Sequence, residues 1–302
     1  MSFRSVVITQ HSKLSYSSNM MVVHNRDGLH QIPVDDISLL LIDTSQAVIT
    51  SALVSELSSH HVKIVFVDDK YQPICETCDY YPGNRNLEKL KEQFFWLDTK
   101  KRILWTKIVR AKIINQIKVL ENYKIDSSGI DDELDKLEID DVSNREAVVA
   151  RKYFMKLFDA KFVRAEDSGI NAALNYGYAI LLSSFDREIV TNGYETYIGI
   201  HHCSTENQFN LGSDLMEPFR PIVDYWVKAH EKITELTPDI KYGLVELLSL
   251  EIKYNGKNTL LSNAIGFYVR DCLRYLSGKL DNVQIEMEFT NEVPNDAIND
   301  NV

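Results

Sequence analysis

Glu146 is a carboxylate in a position that packing alone does not require. In a helix from about residue 144 to residue 162, it shares one face with Ala150, Tyr153 and Leu157, on a largely apolar stripe. A carboxylate in such surroundings can ligate a divalent cation. The alternative is a first-turn glutamate that stabilises the helix N-terminus beside a cap at Ser143.

A pair of histidines follows a short apolar run that contains a glycine. His201 and His202 come directly after Ile198, Gly199 and Ile200, which indicates the end of a strand or a loop that opens onto a cleft. Imidazole is an ordinary ligand for divalent metals and an ordinary proton shuttle. Neighbours in an extended chain point in opposite directions, so only one of the two would serve. The alternative is a polar surface loop.

The segment from Asp214 to Asp224 carries the densest group of polar side chains. Asp214 and Glu217 are three residues apart, and Arg220 and Asp224 continue the same helical face. Two nearby prolines predict a helix start or a kink. Acids at a helix start also have an ordinary capping role. A row of two acids and an arginine nevertheless favours a site for a cation or a phosphate.

Together these places offer two carboxylates and one imidazole. Their two negative charges match one divalent cation, and oxygen-rich ligands with a histidine suit Mg²⁺ or Mn²⁺. With open coordination positions, such a cation could polarise a phosphodiester and stabilise its attacking or leaving oxygen.

The elements that position these side chains fall into two parts. Residues 1–75 predict a small β-sandwich domain, because short apolar or alternating runs are separated by turn signals. The predicted strands are Phe3–Thr9, Lys13–Tyr16, Met20–His24, Leu29–Val34, Ile37–Ile42 and Ile64–Val67, with a short helix at Ala52–Leu57 capped by Thr50 or Ser51.

The second part is a larger, all-helical domain over residues 87–280 that holds the candidate site residues, so that the predicted fold class is α+β. Residues 76–86, which include Pro82-Gly83-Asn84, are the predicted linker, and residues 281–302 form an acidic tail. Apolar residues at helical spacing predict helices over 87–123, 144–162 and 171–190, after residue 214, and within 240–278.

The net charge of −11 is unevenly distributed. Residues 126–141 carry a net charge of −7 and the tail carries −6, which leaves +2 for the remainder of the chain. Residues 88–121 hold nine Lys or Arg against four acids. A basic surface therefore remains for a phosphate backbone, although any solvated helix can show such a pattern. The acidic segment 126–141 is interpreted either as a flexible solvated loop or as a docking site for another protein.

The N-terminal residues have no basic region followed by a long apolar stretch, and the apolar runs are too short to cross a bilayer. We therefore expect a cytoplasmic protein that does not bind membranes. Cys75 and Cys78 form a C-x-x-C pattern. Because no second ligand pair follows, two reduced thiols are favoured over a zinc site.

The order and spacing of the candidate segments resemble the CRISPR-associated integrase family, the endonuclease-integrase of CRISPR adaptation (the Cas-one family). The segments that carry the resemblance are Glu146 with the following AVVARKYF, NAALNYGYAIL from Asn171, GIHH ending at His202, and DLMEPFRPIVD from Asp214 to Asp224. The resemblance covers both predicted domains, and the wording of these segments is most similar to the type II (II-A) form.

The resemblance implies a particular set of metal ligands. The family's Glu, its Gly-x-x-His and its last acid correspond to Glu146, His202 and Glu217, which would be catalytic residues that bind Mg²⁺ or Mn²⁺. The choice of His202 over His201 follows from the spacing to the glycine. Asp214 corresponds to an acid that some members also use.

The resemblance also implies the reaction and the partners. The 3′-hydroxyl ends of a protospacer would attack phosphodiesters at the borders of the CRISPR repeat. The chain would act as a homodimer through its N-terminal domain and form a heterohexamer with a small ferredoxin-like partner on double-stranded DNA. Other type II adaptation proteins and the RNA-guided effector nuclease are further candidate partners. The candidate DNA contacts are Lys100, Lys101, Arg102, Lys107, Arg110, Arg145, Arg151, Arg164 and Arg220.

Two other functions compete with this one. Pro238-Asp239 and Glu251-Ile-Lys253 spell the PD…E-x-K pattern of restriction-type metal nucleases. That site requires the E-x-K on a strand, whereas the apolar spacing over residues 242–254 predicts a helix. A non-catalytic DNA-binding scaffold is the other alternative.

Overall fold

The computed structural model describes residues 4–68, 73–77, 87–230 and 232–289. Its N-terminal strands and helix are β1 (Arg4–Ile8), β2 (Lys13–Ser17), β3 (Met20–Asn25), β4 (Gly28–Pro33), β5 (Ile37–Ile42), β6 (Val48–Ile49), α1 (Ser51–Ser59), β7 (Lys63–Val67) and β8 (Pro73–Glu76). Thr50, one of the two predicted caps, accepts a hydrogen bond from the backbone N–H of Leu53. The predicted β-rich N-terminal part is confirmed.

The N-terminal strands form two four-stranded sheets, ordered β1-β5-β7-β8 and β4-β3-β2-β6. In the first sheet β1, β5 and β7 run parallel, with Val6 opposite Leu40 and Leu40 opposite Ile64. Leu53 and Leu57 of α1 pack with apolar side chains of both sheets in one core. Successive side chains of a strand point to opposite faces of its sheet, so one set enters this core. The other set of the first sheet is available to pack against another part of the chain.

The larger part of the chain is mostly helical, as predicted. Its helices are α2 (Leu87–Phe94), α3 (Asp98–Asn122), α4 (Asp131–Asp135), α5 (Arg145–Leu157), α6 (Gly169–Thr191), α7 (Asn210–Met216), α8 (Arg220–Ala229), α9 (Pro238–Glu246) and α10 (Leu261–Leu276). The predicted helical stretch 87–123 is broken between α2 and α3, where Trp96 is buried. Helices α3 and α6 are buried along much of their length, and the surrounding elements pack against them.

The expectation of an all-helical second part is wrong in one region. Strands β9 (Glu251–Tyr254), β10 (Lys257–Leu260) and β11 (Met287–Phe289) form a sheet in the order β10-β9-β11. Helical spacing over residues 242–254 was misleading, because its first apolar residues belong to α9 and a 3-10 turn, whereas Ile252 is buried in a strand. The E-x-K sequence thus lies on a strand after all, and Lys253 pairs with the exposed Glu288.

The predicted domain limits remain predictions. Residues 78–86 of the linker, Cys78 with them, and residues 290–302 of the acidic tail lie outside the described residues. Strand β11 belongs to the described part of that tail. In the described part of the chain, no helix is both long and apolar enough to span a membrane.

The acidic segment 126–141 is folded against the helical region. Glu133 of α4 is buried and forms ion pairs with Arg145 at 2.7 Å, Lys152 at 3.0 Å and Lys136 at 3.2 Å. Hydrogen bonds from Lys152, Arg145 and Lys136 lower the pKa of Glu133 to about 2. The interpretation as a flexible solvated loop is therefore wrong, because its central acid is fixed by three cations.

The two parts of the chain pack through the first sheet. Leu39, Leu41 and Val65 point away from the N-terminal core and join the core of the helical region. Beside them, Lys241 of α9 donates to both carboxylate oxygens of Asp43 at 2.9 Å. Both side chains are buried. Burial raises the pKa of Asp43 and lowers that of Lys241, so desolvation opposes the pair while their mutual attraction supports it.

We predict that Lys241→Met lowers the free energy of unfolding by about 3–5 kcal/mol, because it leaves Asp43 buried without its counter-ion. Urea unfolding followed by circular dichroism measures the change. The matched control is Lys241→Met combined with Asp43→Val, which removes both charges and should return the stability to within about 1 kcal/mol of the parent. Equal losses in the single and double variants would contradict a charge-based role for the pair.

Candidate active site

Glu146 is positioned by the end of the acidic segment. Helix α5 begins after Asn144, whose φ of 52° lies in the left-handed region. The Asp141 carboxylate accepts the backbone N–H groups of Arg145 at 2.7 Å and Glu146 at 2.9 Å. The predicted cap at Ser143 is wrong, because Asp141 satisfies these first donors of the helix instead. The acidic segment therefore fixes the start of the helix that carries Glu146.

Glu217 lies at a break between two helices. Helix α7 ends at Met216, Glu217–Phe219 form a 3-10 turn, and α8 begins at Arg220. Asn115 of α3 donates to the carbonyl of Pro218 at 2.8 Å, which ties this turn to the central helix. The Glu217 side chain is only 7% exposed. A carboxylate this deeply buried requires cationic partners.

Lys112 of α3 supplies the first of these cations. Its ammonium forms ion pairs with Glu146 and with Glu217, the latter at 2.5 Å, and its side chain is 8% exposed. Burial by itself would lower the pKa of Lys112, but the attraction of Glu217 and Glu146 outweighs it and raises the pKa. Arg220 supplies a second cation, with Nε 3.0 Å from Glu217. Although burial would raise the pKa of Glu217, Arg220 and Lys112 lower it, so the carboxylate is ionised.

His202 is held by a buried carboxylate. The Asp214 side chain accepts backbone N–H groups from Ile200, His201 and His202 at 2.7, 3.0 and 3.1 Å. It also bonds Nδ1 of His202 at 2.5 Å. A hydrogen bond from Nδ1 to a carboxylate fixes the tautomer that leaves Nε2 as the free ligand atom. Asp214 is fully buried, and its oxygens hold the loop and the ring of His202. Its part as a metal ligand stays a prediction.

The two histidines have different surroundings. The His201 ring stacks on the buried Trp105 of α3, with centroids 4.1 Å apart and planes 5° from parallel. The His202 ring meets Trp105 at its edge and is 47% exposed. Trp105 therefore supports both rings, and the hydrogen bond to Asp214 distinguishes His202 from His201. The choice of His202 as the ligand stays a prediction.

Gly199 has a steric reason to be glycine. A Cβ at this position would lie 2.3 Å from the carbonyl oxygen of His202 and 2.8 Å from Oδ2 of Asp214. Such contacts are too short for a real side chain, so the loop can wrap around Asp214 only without one. The Gly-x-x-His spacing thus reflects the tight loop that presents His202.

A buried polar network lies behind Arg220. The Tyr178 hydroxyl donates to Asp224, and the guanidinium of Arg220 lies 4.7 Å from the centroid of the Tyr178 ring. Arg164 lies over the same ring at 5.5 Å. Burial raises the pKa of Asp224 to about 6, although Tyr178 opposes the shift. This network positions Arg220, which in turn faces Glu217.

Most of the predicted DNA contacts are engaged within the chain. Three of them form hydrogen bonds: Lys100 with the carbonyl of Tyr275, Lys107 with Asn282 and Val283, and Arg164 with Asn171 and Asn175. Four form ion pairs, which are Lys101–Asp98, Arg102–Asp140, Arg145–Glu133 and Arg220–Glu217. Arg110 and Arg151 are exposed. Together with Arg102, whose side chain is 63% exposed, these two are the candidates open to a phosphate backbone.

The donor atoms are of the type that a divalent cation requires. Glu146 and Glu217 converge on a cation, the ammonium of Lys112, and His202 keeps one ring nitrogen free. Across residues 4–68, 73–77, 87–230 and 232–289, no three His, Cys, Asp or Glu side chains surround a single point closely enough to hold a metal ion. The ligand set thus fits Mg²⁺ or Mn²⁺ by chemistry, provided that Lys112 moves away from the carboxylates.

Sequence reasoning missed three residues of this site. Lys112 shares the buried face of α3 with Trp105, Ile108 and Val109. A lysine at a core-facing helical position was the available signal, because an unpaired lysine is almost never fully buried. Asp141 and Trp105 gave no comparable signal, since their roles depend on distant parts of the chain.

Comparisons with solved structures define the class of fold. A structure described as "Casposase bound to integration product" has a TM-score of 0.77 at 21% identity and covers 94% of this chain and 92% of that one. A chain of a "Cas6-RT-Cas1--Cas2 complex" has a TM-score of 0.75 at 17% identity and covers 95% of this chain and 36% of that one. At these identities, the likeness establishes a fold shared by casposases and Cas1 proteins.

The sequence comparisons establish the family. The family model "CRISPR associated protein Cas1" matches residues 5–240. The CRISPR-associated endonuclease Cas1 of Neisseria meningitidis serogroup C (strain 8013) is 33% identical over 258 residues, which cover 83% of this chain and 85% of that protein. The chain therefore belongs to the Cas1 family. This confirms the resemblance to the family that the sequence shows. The objection raised from the sequence to the restriction-type alternative is wrong, because its E-x-K lies on a strand.

We predict that Asp214→Asn lowers the pKa of His202. The hydrogen bond that His202 donates to Asp214 is the largest cause that raises this pKa, and burial opposes it. An amide in place of the carboxylate carries no charge to favour the imidazolium. The stability should fall by about 2 kcal/mol, since buried donors lose a charged acceptor. A histidine NMR titration measures the pKa. Asp132→Asn, an exposed change, is the control, and an unchanged His202 pKa in Asp214→Asn would contradict this role.

A second prediction concerns pH and Asp224. Its pKa is raised from 3.8 to about 6, so the folded state holds this proton more tightly than the unfolded state. The contribution of Asp224 to stability therefore falls as pH rises from about 4 to 6, by about 3 kcal/mol in total. Asp224→Asn should gain about that much relative to the parent between pH 4 and pH 7, measured by urea unfolding. Asp132→Asn should show no such gain, and a flat difference for Asp224→Asn would refute the shift.

Proposed function

We propose that this protein is a divalent-metal-dependent DNA integrase and endonuclease of CRISPR spacer acquisition. The observation that carries the proposal is the convergence of Glu146 and Glu217, from separate helical elements, on one cation position. His202, oriented by Asp214, is near enough to Glu217 to lower the pKa of that carboxylate. Membership in the Cas1 family supports the reaction class, since relatives carry the name endonuclease and the casposase of similar fold was solved with an integration product.

In this proposal Glu146, His202 and Glu217 hold Mg²⁺ or Mn²⁺. The bound cation supplies charge stabilisation to the phosphodiester oxygens during displacement. The 3′-hydroxyl oxygen of the protospacer forms a new P–O bond as another P–O bond breaks, and the hydroxyl proton passes through water to the leaving oxygen. Arg220 remains beside Glu217 and keeps that carboxylate ionised. Asp141 and Asp214 hold the helix start and the loop in place.

The proposed partners follow from the family. We propose double-stranded DNA, both protospacer and CRISPR repeat, as the substrate, with action at the repeat borders. A homodimer that joins a small ferredoxin-like partner in a heterohexamer is part of the proposal, and the similar fold within a Cas1–Cas2 complex supports it. We also propose that the protein belongs to a type II (II-A) system and is located in the cytoplasm. It would contact other adaptation proteins and the effector nuclease.

We predict that Glu146→Ala, His202→Ala and Glu217→Ala each reduce DNA joining by about 100-fold or more. Each change removes a proposed ligand of the cation that stabilises the charge of the transition state. The assay joins labelled DNA ends to a repeat-bearing plasmid with the small partner and Mg²⁺ or Mn²⁺, and the chelator EDTA should abolish joining. DNA binding by the variants should persist.

His201→Ala and the exposed change Glu121→Ala are the matched controls and should retain most of the joining activity. Joining that survives all three triad changes would overturn the site. Joining that survives EDTA would overturn the metal dependence. If the parent protein binds DNA and its partner but joins nothing under any condition, the non-catalytic scaffold is the better description.

A further inference from the structure

Lys112 occupies the place between the two carboxylates that the proposed function gives to a metal. Its ammonium contacts Glu146 on α5 and Glu217 on the turn after α7, although these residues are far apart in the chain. The Lys112 and Glu217 side chains are 8% and 7% exposed, whereas Glu146 is 27% exposed. The ammonium is therefore enclosed on its protein side, and the Glu146 side of the cluster is open.

The charges of the cluster explain why this place holds a cation. Glu146, Glu217 and Asp214 are negative, and Lys112 and Arg220 are positive, which leaves one net negative charge when His202 is neutral. Without Lys112, Glu146 and Glu217 would face each other with Arg220 alone to balance them. Two carboxylates that share one buried site repel each other strongly unless a cation lies between them.

The same charges limit what can be bound together. A divalent cation added to the cluster as it stands would lie against the Lys112 ammonium, and like charges at such distances repel strongly. Arg220 approaches Glu217 through the other carboxylate oxygen, Oε1, whereas Lys112 contacts Oε2. Lys112 therefore blocks the metal position, while Arg220 lies beside it.

We propose that Lys112 is a built-in counter-ion that is exchanged for the divalent cation when the metal binds. It keeps Glu146 and Glu217 aligned in the protein without metal and leaves them when Mg²⁺ or Mn²⁺ takes its place. Lys112 is thus a positioning residue that both assembles the ligand set and weakens its affinity for metal. The inference rests on the proposed metal site formed by Glu146, His202 and Glu217.

A purely structural role for Lys112 predicts the opposite effect on metal binding. If the lysine only tied α3 to its neighbours, its removal would loosen the ligands and weaken the binding of metal. If it competes with the metal, its removal should strengthen binding, because two facing carboxylates then gain their only shared cation from solution. The sign of the change in affinity separates the two roles.

The test is calorimetric titration of Mn²⁺ into the full-length protein and its variants. We expect Lys112→Met and Lys112→Gln to bind Mn²⁺ at least tenfold more tightly than the parent, which corresponds to about 1.4 kcal/mol. Lys112→Arg keeps the charge and should show no gain. Arg110→Met removes an exposed charge from the same helix and is the matched control, which should bind like the parent.

Thermal unfolding provides a second measurement that does not depend on activity. Lys112→Met and Lys112→Gln should melt below the parent in EDTA, because the carboxylates lose their counter-ion, and should gain more than the parent from added Mn²⁺. The glutamine variant keeps a hydrogen-bond donor and serves if the methionine variant does not fold.

The outcomes distinguish the inference from the function on which it rests. The parent protein could bind Mn²⁺ through Glu146 and Glu217 while Lys112→Met and Lys112→Gln bind it equally or more weakly. That result would overturn the exchange and leave the proposed function intact. Failure of the parent and all Lys112 variants to bind Mn²⁺, or binding that is unchanged in Glu146→Ala, would overturn both.

Discussion

The structure depends on keeping two carboxylates together, the buried Glu217 and the half-buried Glu146. Glu146 and Glu217 would repel each other, and burial adds a cost to the ionised form of Glu217. Lys112 and Arg220 offset this cost, and each contacts a different carboxylate oxygen of Glu217. The central helix α3 provides Lys112 and also Asn115, which holds the turn that carries Glu217. The core of the helical region is therefore organised around a charge cluster that apolar packing alone could not contain.

Further carboxylates work through backbone N–H groups and hold the site in place. Asp141 accepts the first N–H groups of α5, and Asp214 accepts three successive N–H groups of the loop before it bonds His202. In both cases a buried acid accepts hydrogen bonds from backbone N–H groups that a helix start or a loop leaves without a backbone acceptor. The acidic residues of this chain thus have three roles: proposed metal ligands, acceptors that hold the backbone of the site, and exposed surface residues. The net charge does not reveal how they are divided among these roles.

The acidic segment shows how local charge and function become linked. Its Glu133 binds Arg145 and Lys152 of α5, and its Asp141 caps the same helix. The composition of this segment resembles that of a solvated loop, but its acids fix the start of the helix that carries Glu146. The same segment engages Arg145, one of the basic residues that the family resemblance offered as DNA contacts, whereas Arg110 and Arg151 are exposed.

The sequence by itself determined the order of the two parts, most strands and helices, and the three segments that carry Glu146, His202 and Glu217. These features depend on local periodicity, on turn residues and on short motifs such as the glycine before His202, all of which are written in neighbouring residues. Only the tertiary structure decided that Ile252 belongs to a strand, that Asp214 orients His202, and that Lys112 lies between the two glutamates. Each of these depends on residues distant in the chain, so that no local pattern could reveal which charges would meet in the interior.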